Sequence, residues 1–443
     1  MSEIEILKEF KCASCGKTHR APIEKVIVKS GATDYVYDAL KIYNAKKAFV
    51  LADKNTFKAA GESVLNTIKK ANADYALYVF ESEKVVPDDA NVGRAIMAFD
   101  KSADIVIGVG SGVINDVGKI VAATAKLPYV IVATAPSMDG YASATSSMEI
   151  GGFKVSVNSK IPEIIIGDLN VLKNAPEKTF AAGLGDMIAK YISIADWRIS
   201  HLINGEYYCE HIADMVRKAV KKVTENAGGL LKRDENAVSA VFEGLIISGA
   251  AMSYAGLSRP ASGMEHYVSH IYDMRSLAFG TPCSSHGVQC GIGTLIAAKA
   301  YHKLVKMPFD KQKALDYAKN FDRESKYEKL RAYIGRGAEK MIEIDEKTGR
   351  YDTRLHEKRL NAILENKDEI IKIVNEEVPS EDTIKNLLKS VNAPQKPEDI
   401  GLSSGDLPFV CAATKDVRDK YILSNLCWDL GLEKEIWESG FKD

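Results

Sequence analysis

Three of the eight histidines of this 443-residue chain, His266, His270 and His286, fall within residues 262–295, SGMEHYVSHIYDMRSLAFGTPCSSHGVQCGIGTL. His266 and His270 stand one helical turn apart, so their rings project from one face of a helix. His286 opens the next helical pattern, across a loop that carries Gly280 and Pro282. Neutral imidazole is the commonest protein ligand for a borderline transition metal, and a catalytic site takes three protein ligands and leaves a vacancy. A further ligand must come from elsewhere. Asp186, in FAAGLGDMIAKYISIADW, is an acid inside a long apolar helical pattern, beside two glycines that permit close backbone approach. A buried carboxylate needs a cation or donors, and a metal held by histidines supplies the former.

A second chemistry is written further upstream. The apolar run DIVIGVG (104–110) leads into Gly110-Ser111-Gly112 and then into a helical pattern. Glycines let a backbone approach a pyrophosphate, and a helix N-terminus presents unpaired N–H groups and a favourable dipole. The spacing Gly108, Gly110, Gly112 departs from the dinucleotide fingerprint, and the candidate ribose acid, Asp53, precedes the loop instead of following it. A second loop, ATAPSMDGYASATSS (133–147), gathers Thr134, Ser137, Ser143 and Thr145 around Asp139. Ligands sit at loops beyond the carboxyl ends of parallel strands.

These loops need a scaffold. Short apolar runs near Val26, Val50, Tyr78, Val106, Val130 and Ile165 alternate with segments of helical period. Continuous apolar strands separated by helices indicate a mostly parallel sheet covered on both faces. From about Pro176 onward only helical spacing recurs, which predicts an α/β dinucleotide-binding domain over residues 1–172 and an all-helical metal- and substrate-binding domain over 173–443. The short crossover makes a cleft between two domains the expected ligand site. Residues 322–377 are strongly charged and read as a solvated pair of surface helices with little catalytic content.

A formal net charge of -1 and 27% charged residues describe a neutral surface, not a nucleic-acid binder. No uninterrupted apolar run reaches the length of a membrane span, and the N-terminal MSEIEILKEFK is acidic where a signal peptide is basic, so a cytoplasmic location is expected. Seven scattered cysteines suit reduced thiols. Cys12, Cys15 and His19 have metal-like spacing, but a closed zinc site needs four ligands and no fourth stands nearby in sequence. CASCG is accordingly read as a tight turn between two N-terminal strands.

The stretches GVGSGVINDVGK (108–119), TAPSMDGYAS (134–143), AGLGDMIAK (182–190), SRPASGMEHYVSH (258–270), SSHGVQCGIGTL (284–295) and TKDVRDKYILSNLCWDLGL (414–432) resemble the iron-containing alcohol dehydrogenase superfamily, whose fold is that of dehydroquinate synthase. The resemblance implies that Asp186, His266 and His286 hold one divalent ion of zinc, nickel or iron, with His270 close by. It implies that Asp53, Gly110, Ser111, Gly112, Asp116, Thr134, Ser137 and Ser143 bind NAD(H) or NADP(H), and that Asp139 lies between nicotinamide and substrate. The implied reaction is hydride delivery from the nicotinamide to the metal-polarised ketone of dihydroxyacetone phosphate, with proton transfer through His270 or Asp139. Candidate cations for the substrate phosphate are Lys154, Lys190, Arg259, Arg418 and Lys420. A homodimer is expected by the same resemblance. The alternatives are a dehydrogenase of unphosphorylated glycerol or another polyol, a carbocycle-forming synthase on the same fold, and a non-catalytic nucleotide or metal sensor.

Overall fold

In the computed structural model, residues 2–3, 6–82, 84–151 and 153–438 are described; positions 1 and 439–443, the extremes of the two expected domains, lie outside them. The strands are β1 (Ser2–Glu3), β2 (Glu9–Lys11), β3 (Thr18–Arg20), β4 (Lys25–Lys29), β5 (Lys47–Asp53), β6 (Asp74–Phe80), β7 (Ile105–Gly110), β8 (Tyr129–Ala133), β9 (Thr145–Ile150), β10 (Phe153–Asn158) and β11 (Ile164–Asp168). Seven of them form one sheet in the order β1-β4-β11-β8-β7-β5-β6, parallel except for β1 against β4. The runs near Val26, Val50, Tyr78, Val106, Val130 and Ile165 are its six parallel strands. Strands β7, β8 and β11 are buried at every position, which is why they read as unbroken apolar runs.

The sheet order reverses beside β5. From β5 the chain steps outward to β6, and the next strand, β7, inserts on the other side of β5. Such a switch point opens a crevice beyond the carboxyl ends of the two flanking strands. Those ends are Asp53 on β5 and Gly110 on β7, with Ala52 paired to Val109 in register.

The chain divides into two compact units, residues 1–187 with 211–257, and residues 188–210 with 258–443. The expected boundary at 172 differs because the helix Glu235–Ala255 packs on the sheet and Val223 of the helix Glu210–Asn226 packs beside its Gly244, so both group with the sheet-bearing unit. The latter carries Phe242, whose ring occupies the space above Gly167 of β11 and stacks edge-on against Tyr141 at 5.2 Å. This helix is long and apolar enough to cross a membrane, but 78% of its most apolar window is buried in the unit. Beyond Asp168 there is no strand among the described residues, as the periodicity predicts.

Two sequence expectations need revision. The last three residues of the Ser/Thr-rich loop are not loop: Thr145–Ile150 pairs with Phe153–Asn158 as the antiparallel hairpin β9-β10, with Ser146 and Met148 turned inward. Residues 322–377 form four helices, Arg323–Ile334, Gly337–Thr348, Thr353–Glu365 and Lys367–Glu377, not a solvated pair. Their apolar positions Leu330, Ile334, Leu360, Ile363 and Ile370 are fully buried. Charge density hid that face because apolar residues are a minority there while still falling at helical spacing.

Candidate functional site

In the sheet-bearing unit, Gly110 ends β7 and Ser111 caps the helix Gly112–Ala125, so the sequence-predicted loop leads directly into a helix N-terminus. Its glycines answer to packing as well as to any ligand. A Cβ on Gly108 or on Gly118 would each lie 2.4 Å from the Tyr129 hydroxyl, and one on Gly110 would lie 2.5 Å from Ile114. Only Gly112 meets a flexible side chain, Met138 at 3.1 Å. Asp53 caps the short helix after β5, its Oδ1 accepting from the backbone N–H groups of Asn55 at 2.8 Å and Thr56 at 2.9 Å. The cap fixes its carboxylate at the switch point.

Asp116 and Lys119, one turn apart in that helix, are both buried. Burial drives the Asp116 carboxyl up and the Lys119 ammonium down from their ordinary values, each opposed by the other's charge. Lys119 Nζ donates to the carbonyls of Gly140 at 2.8 Å and Thr145 at 2.9 Å and to Ser143 Oγ at 3.2 Å. Sequence reading passed over this lysine. It pins the loop that carries Asp139 and Ser143, and a lysine one turn after an aspartate in an otherwise largely apolar helix is the signal that marks it. Thr134 is tied to β7 by its backbone N–H donating to the Gly110 carbonyl at 3.1 Å. Ser137 is half-buried, and so is Lys154 on β10.

Asp186 is fully buried on the helix Glu177–Ile188, and its Oδ2 accepts from the Asp139 backbone N–H at 2.8 Å. Asp139 Oδ2 in turn accepts from the Ser248 hydroxyl at 2.9 Å. Gly183 permits the close backbone approach, since a Cβ there would sit 2.0 Å from the Pro136 carbonyl oxygen. Gly249 does the same service on the helix Glu235–Ala255, where a Cβ would sit 2.7 Å from the Asp139 carbonyl oxygen. Two helices thus grip the loop by backbone contact.

In the helical unit, His266 and His270 lie on the helix Met264–Phe279 and His286 is the first residue of His286–Leu304. The rings of His266 and His286 meet edge-on at 5.0 Å, and His270 stacks against His286 at 6.1 Å. The ligand atoms of His266, His286 and Cys290 all lie within 4.8 Å of one another. Each of the two close imidazoles is oriented by a partner. His266 Nδ1 donates to the buried Glu265 Oε1 at 2.7 Å, which also accepts from Gly263 N at 2.8 Å. His286 Nδ1 donates to Ser269 Oγ at 3.0 Å, and that hydroxyl donates on to Gln289 Oε1 at 2.7 Å. Both bonds place the proton on Nδ1 and leave the Nε2 lone pair as the ligand atom, the arrangement that metal-binding histidines adopt.

Glu265, Ser269 and Gln289 were not singled out in the sequence. Glu265 adjoins His266 and Gln289 follows His286 by one turn, but Ser269 meets His286 across 17 residues only because the two helices pair. Cys290 Sγ lies 3.6 Å from His286 Nε2. Burial pushes this thiol up, but the hydrogen bonds of His266 and His286, and their charge when protonated, bring it below its ordinary value. Two imidazoles and a thiol of this polarity form a donor set for a borderline divalent metal.

The candidate phosphate-binding cations behave differently from one another. Arg259 is buried and engaged: Nε and Nη2 hold Glu206, Nη2 reaches Ser200 Oγ at 3.1 Å and Nη1 donates to the Tyr421 carbonyl at 2.7 Å. Lys190 donates to the Ala261 carbonyl at 3.0 Å. Lys420 Nζ donates to Ser258 Oγ at 2.6 Å, and burial, reinforced by repulsion from Arg259, brings its ammonium down to about 7. Arg418 is half-buried next to it.

A parallel sheet with a switch-point loop and a helical unit bearing paired histidines define a nucleotide- and metal-using oxidoreductase architecture, and comparison with known proteins agrees. The family model described as iron-containing alcohol dehydrogenase matches residues 27–176. A glycerol-1-phosphate dehydrogenase, NAD(P)+, of Geobacillus thermodenitrificans is 30% identical over 64% of this chain and 70% of its own length. One of Thermococcus sibiricus is 35% identical over 59% and 72% respectively. An archaeal Red Sea brine pool alcohol dehydrogenase shares the fold at a TM-score of 0.61 and 14% identity, covering 95% of this chain and 98% of its own. The chain belongs to the glycerol-1-phosphate dehydrogenases of the iron-containing alcohol dehydrogenase family.

Proposed function

We propose that this chain reduces dihydroxyacetone phosphate to sn-glycerol 1-phosphate with NADH or NADPH, and that Asp186, His266 and His286 hold the one divalent ion the reaction uses. The observation that carries the reading is the pair of imidazoles oriented through Nδ1 by Glu265 and Ser269, with ligand atoms within 4.8 Å of one another. A carboxylate with two neutral imidazoles suits zinc, nickel or ferrous iron and leaves coordination positions vacant for substrate. When bound, the ion acts as a Lewis acid on the ketone oxygen.

The chain's own residues supply the rest. Gly110, Ser111 and Gly112 receive the pyrophosphate at the helix N-terminus, and Asp53 accepts from the adenosine ribose hydroxyls. Thr134, Ser137 and Ser143 line the nicotinamide side, in a loop that Lys119 and Asp116 hold in shape. Asp139, positioned by Ser248, and His270, stacked on His286, are the groups through which a proton reaches the new hydroxyl. Lys420 and Arg418 bind the substrate phosphate, with Lys154 and Lys190 as further cations. Arg259 contributes by holding Glu206 and the 421 carbonyl in place. The protein works as a homodimer in the cytoplasm.

The test is oxidation of NADH and of NADPH by the purified, metal-loaded chain with dihydroxyacetone phosphate or dihydroxyacetone. Turnover of the phosphorylated ketone at far higher kcat/KM supports the reading. Equal or better turnover of dihydroxyacetone overturns it in favour of a polyol dehydrogenase.

A further inference from the structure

The N-terminal hairpin β2-β3 has no part in the reaction above, yet it is built with care. Its turn, Cys12-Ala13-Ser14-Cys15-Gly16, is closed by the Gly16 N–H donating to the Cys12 carbonyl and the Cys12 N–H donating to the Lys17 carbonyl, both at 2.9 Å. Gly16 has φ 72°, in the left-handed region where a side chain is strained. This turn brings the ligand atoms of Cys12, Cys15 and His19 within 4.8 Å of one another, with Cys15 Sγ 3.3 Å from His19 Nε2. The edge of a tetrahedron around zinc, from ordinary Zn–S and Zn–N lengths, is about 3.6 Å.

His19 is oriented as a ligand would be. Its Nδ1 donates to the Tyr254 carbonyl at 2.8 Å, which leaves the lone pair on Nε2, the nitrogen that faces Cys15. The ring is buried against Phe10 at 5.1 Å. The missing ligand in sequence was a fourth, and chain connectivity supplies it. The His211 ring packs on the same Phe10 at 5.1 Å, and Cys209, itself buried, is two residues earlier. Two residues of chain reach at most about 7 Å, so the Cys209 backbone cannot stray far from the hairpin.

We infer that Cys12, Cys15 and His19, with Cys209 as fourth ligand, bind one zinc ion in a closed structural site. Three thiolates and a neutral imidazole leave no vacancy for substrate, and their softness selects zinc over magnesium or calcium. Binding releases the three thiol protons to solvent and involves no change of oxidation state. The ion locks the hairpin's turn onto His19, whose Nδ1–H ties the hairpin to the C-terminal turn of the helix Glu235–Ala255, where Tyr254 also donates its hydroxyl to the Leu7 carbonyl.

The experiment uses the full chain. Metal per chain is measured on the purified protein and on Cys15→Ser, Cys209→Ser and His266→Ala, and each is also prepared with cobalt(II) as the probe. The wild type should show the near-ultraviolet thiolate-to-cobalt charge-transfer band. His266→Ala, which addresses the other metal, should keep that band, while Cys15→Ser and Cys209→Ser lose it together with one equivalent of zinc. A wild-type protein without the band, or a Cys15→Ser variant whose band intensity and zinc content both equal those of the wild type, overturns the site. Retention in Cys209→Ser alone overturns the assignment of the fourth ligand. Should a cysteine variant not fold, zinc-edge absorption on His266→Ala decides: coordination dominated by sulfur at about 2.3 Å supports the site and a shell of only nitrogen and oxygen refutes it.

Discussion

Glu265→Gln separates the electronic from the structural role of the group behind His266. Glu265 Oε1 accepts two hydrogen bonds, from His266 Nδ1 at 2.7 Å and from Gly263 N at 2.8 Å, and its side chain is fully buried. A glutamine keeps one oxygen in the same place, so both donors remain satisfied. The new amide group occupies the Oε2 position, which has no hydrogen-bond partner among the described residues and faces the same Gly263 as Asp196 Oδ2. The substitution should therefore leave the unfolding free energy of the metal-free protein within about 0.5 kcal/mol of wild type. What it removes is the negative charge that makes the imidazole a better donor. Loss of such an outer carboxylate weakens metal binding on the order of 10- to 100-fold, or roughly 1.4 to 2.7 kcal/mol. Glu265→Ala should lose about 1–3 kcal/mol of stability besides, because the buried Gly263 N–H is then unsatisfied. Competition with a chromophoric chelator gives the metal Kd, and denaturant unfolding of the chelated protein gives stability. An unchanged Kd in the glutamine variant refutes the claim that Glu265 tunes a metal ligand.

Three further outcomes follow from particular contacts. Gly183→Ala places a Cβ 2.0 Å from the Pro136 carbonyl, so the helix and loop must separate. We expect about 1–3 kcal/mol of destabilisation and a fall in kcat, read by unfolding and NADH oxidation, whereas wild-type values would show that the loop yields freely. Lys420 carries its charge below about pH 7 and loses it above. The KM for dihydroxyacetone phosphate should then rise as pH climbs from about 6.5 to 8.5, a range in which the phosphate itself stays largely dianionic, and Lys420→Arg should flatten the rise. A Lys420→Ala enzyme with unaltered KM at both ends removes the residue from the phosphate site. Arg359 grips the buried Asp429 carboxylate at 2.8 and 2.9 Å. Its replacement by alanine strands that charge, and about 3 kcal/mol of stability should disappear in a denaturant titration at neutral pH.

Local pattern carried much of the architecture. Strands β7, β8 and β11 announce themselves because a strand buried on both faces must be apolar throughout, and the helices after Pro176 announce themselves by period. The hairpin β9-β10 did not, since its Ser/Thr content reads as turn chemistry and, among the described side chains, Ser146 and Met148 are the ones fully covered. The glycines of the 108–112 loop read as ligand chemistry alone, whereas Gly108 and Gly118 both make room for Tyr129.

What the amino-acid order determined by itself is periodicity, capping and the presence of chemically capable residues: His266 one turn from His270, a carboxylate in an apolar helix, glycines after a strand. Those properties are set within a turn or two of chain, where covalent geometry leaves few choices. The tertiary structure alone decided which donors and acceptors meet: Ser269 and Gln289 behind His286, Ser248 behind Asp139, Lys119 under the Ser143 loop, the 210–226 and 235–255 helices with the sheet. A hydrogen bond or a packed ring is specified by where two distant segments are held, and that position is the joint product of every buried contact, which no short stretch of sequence contains.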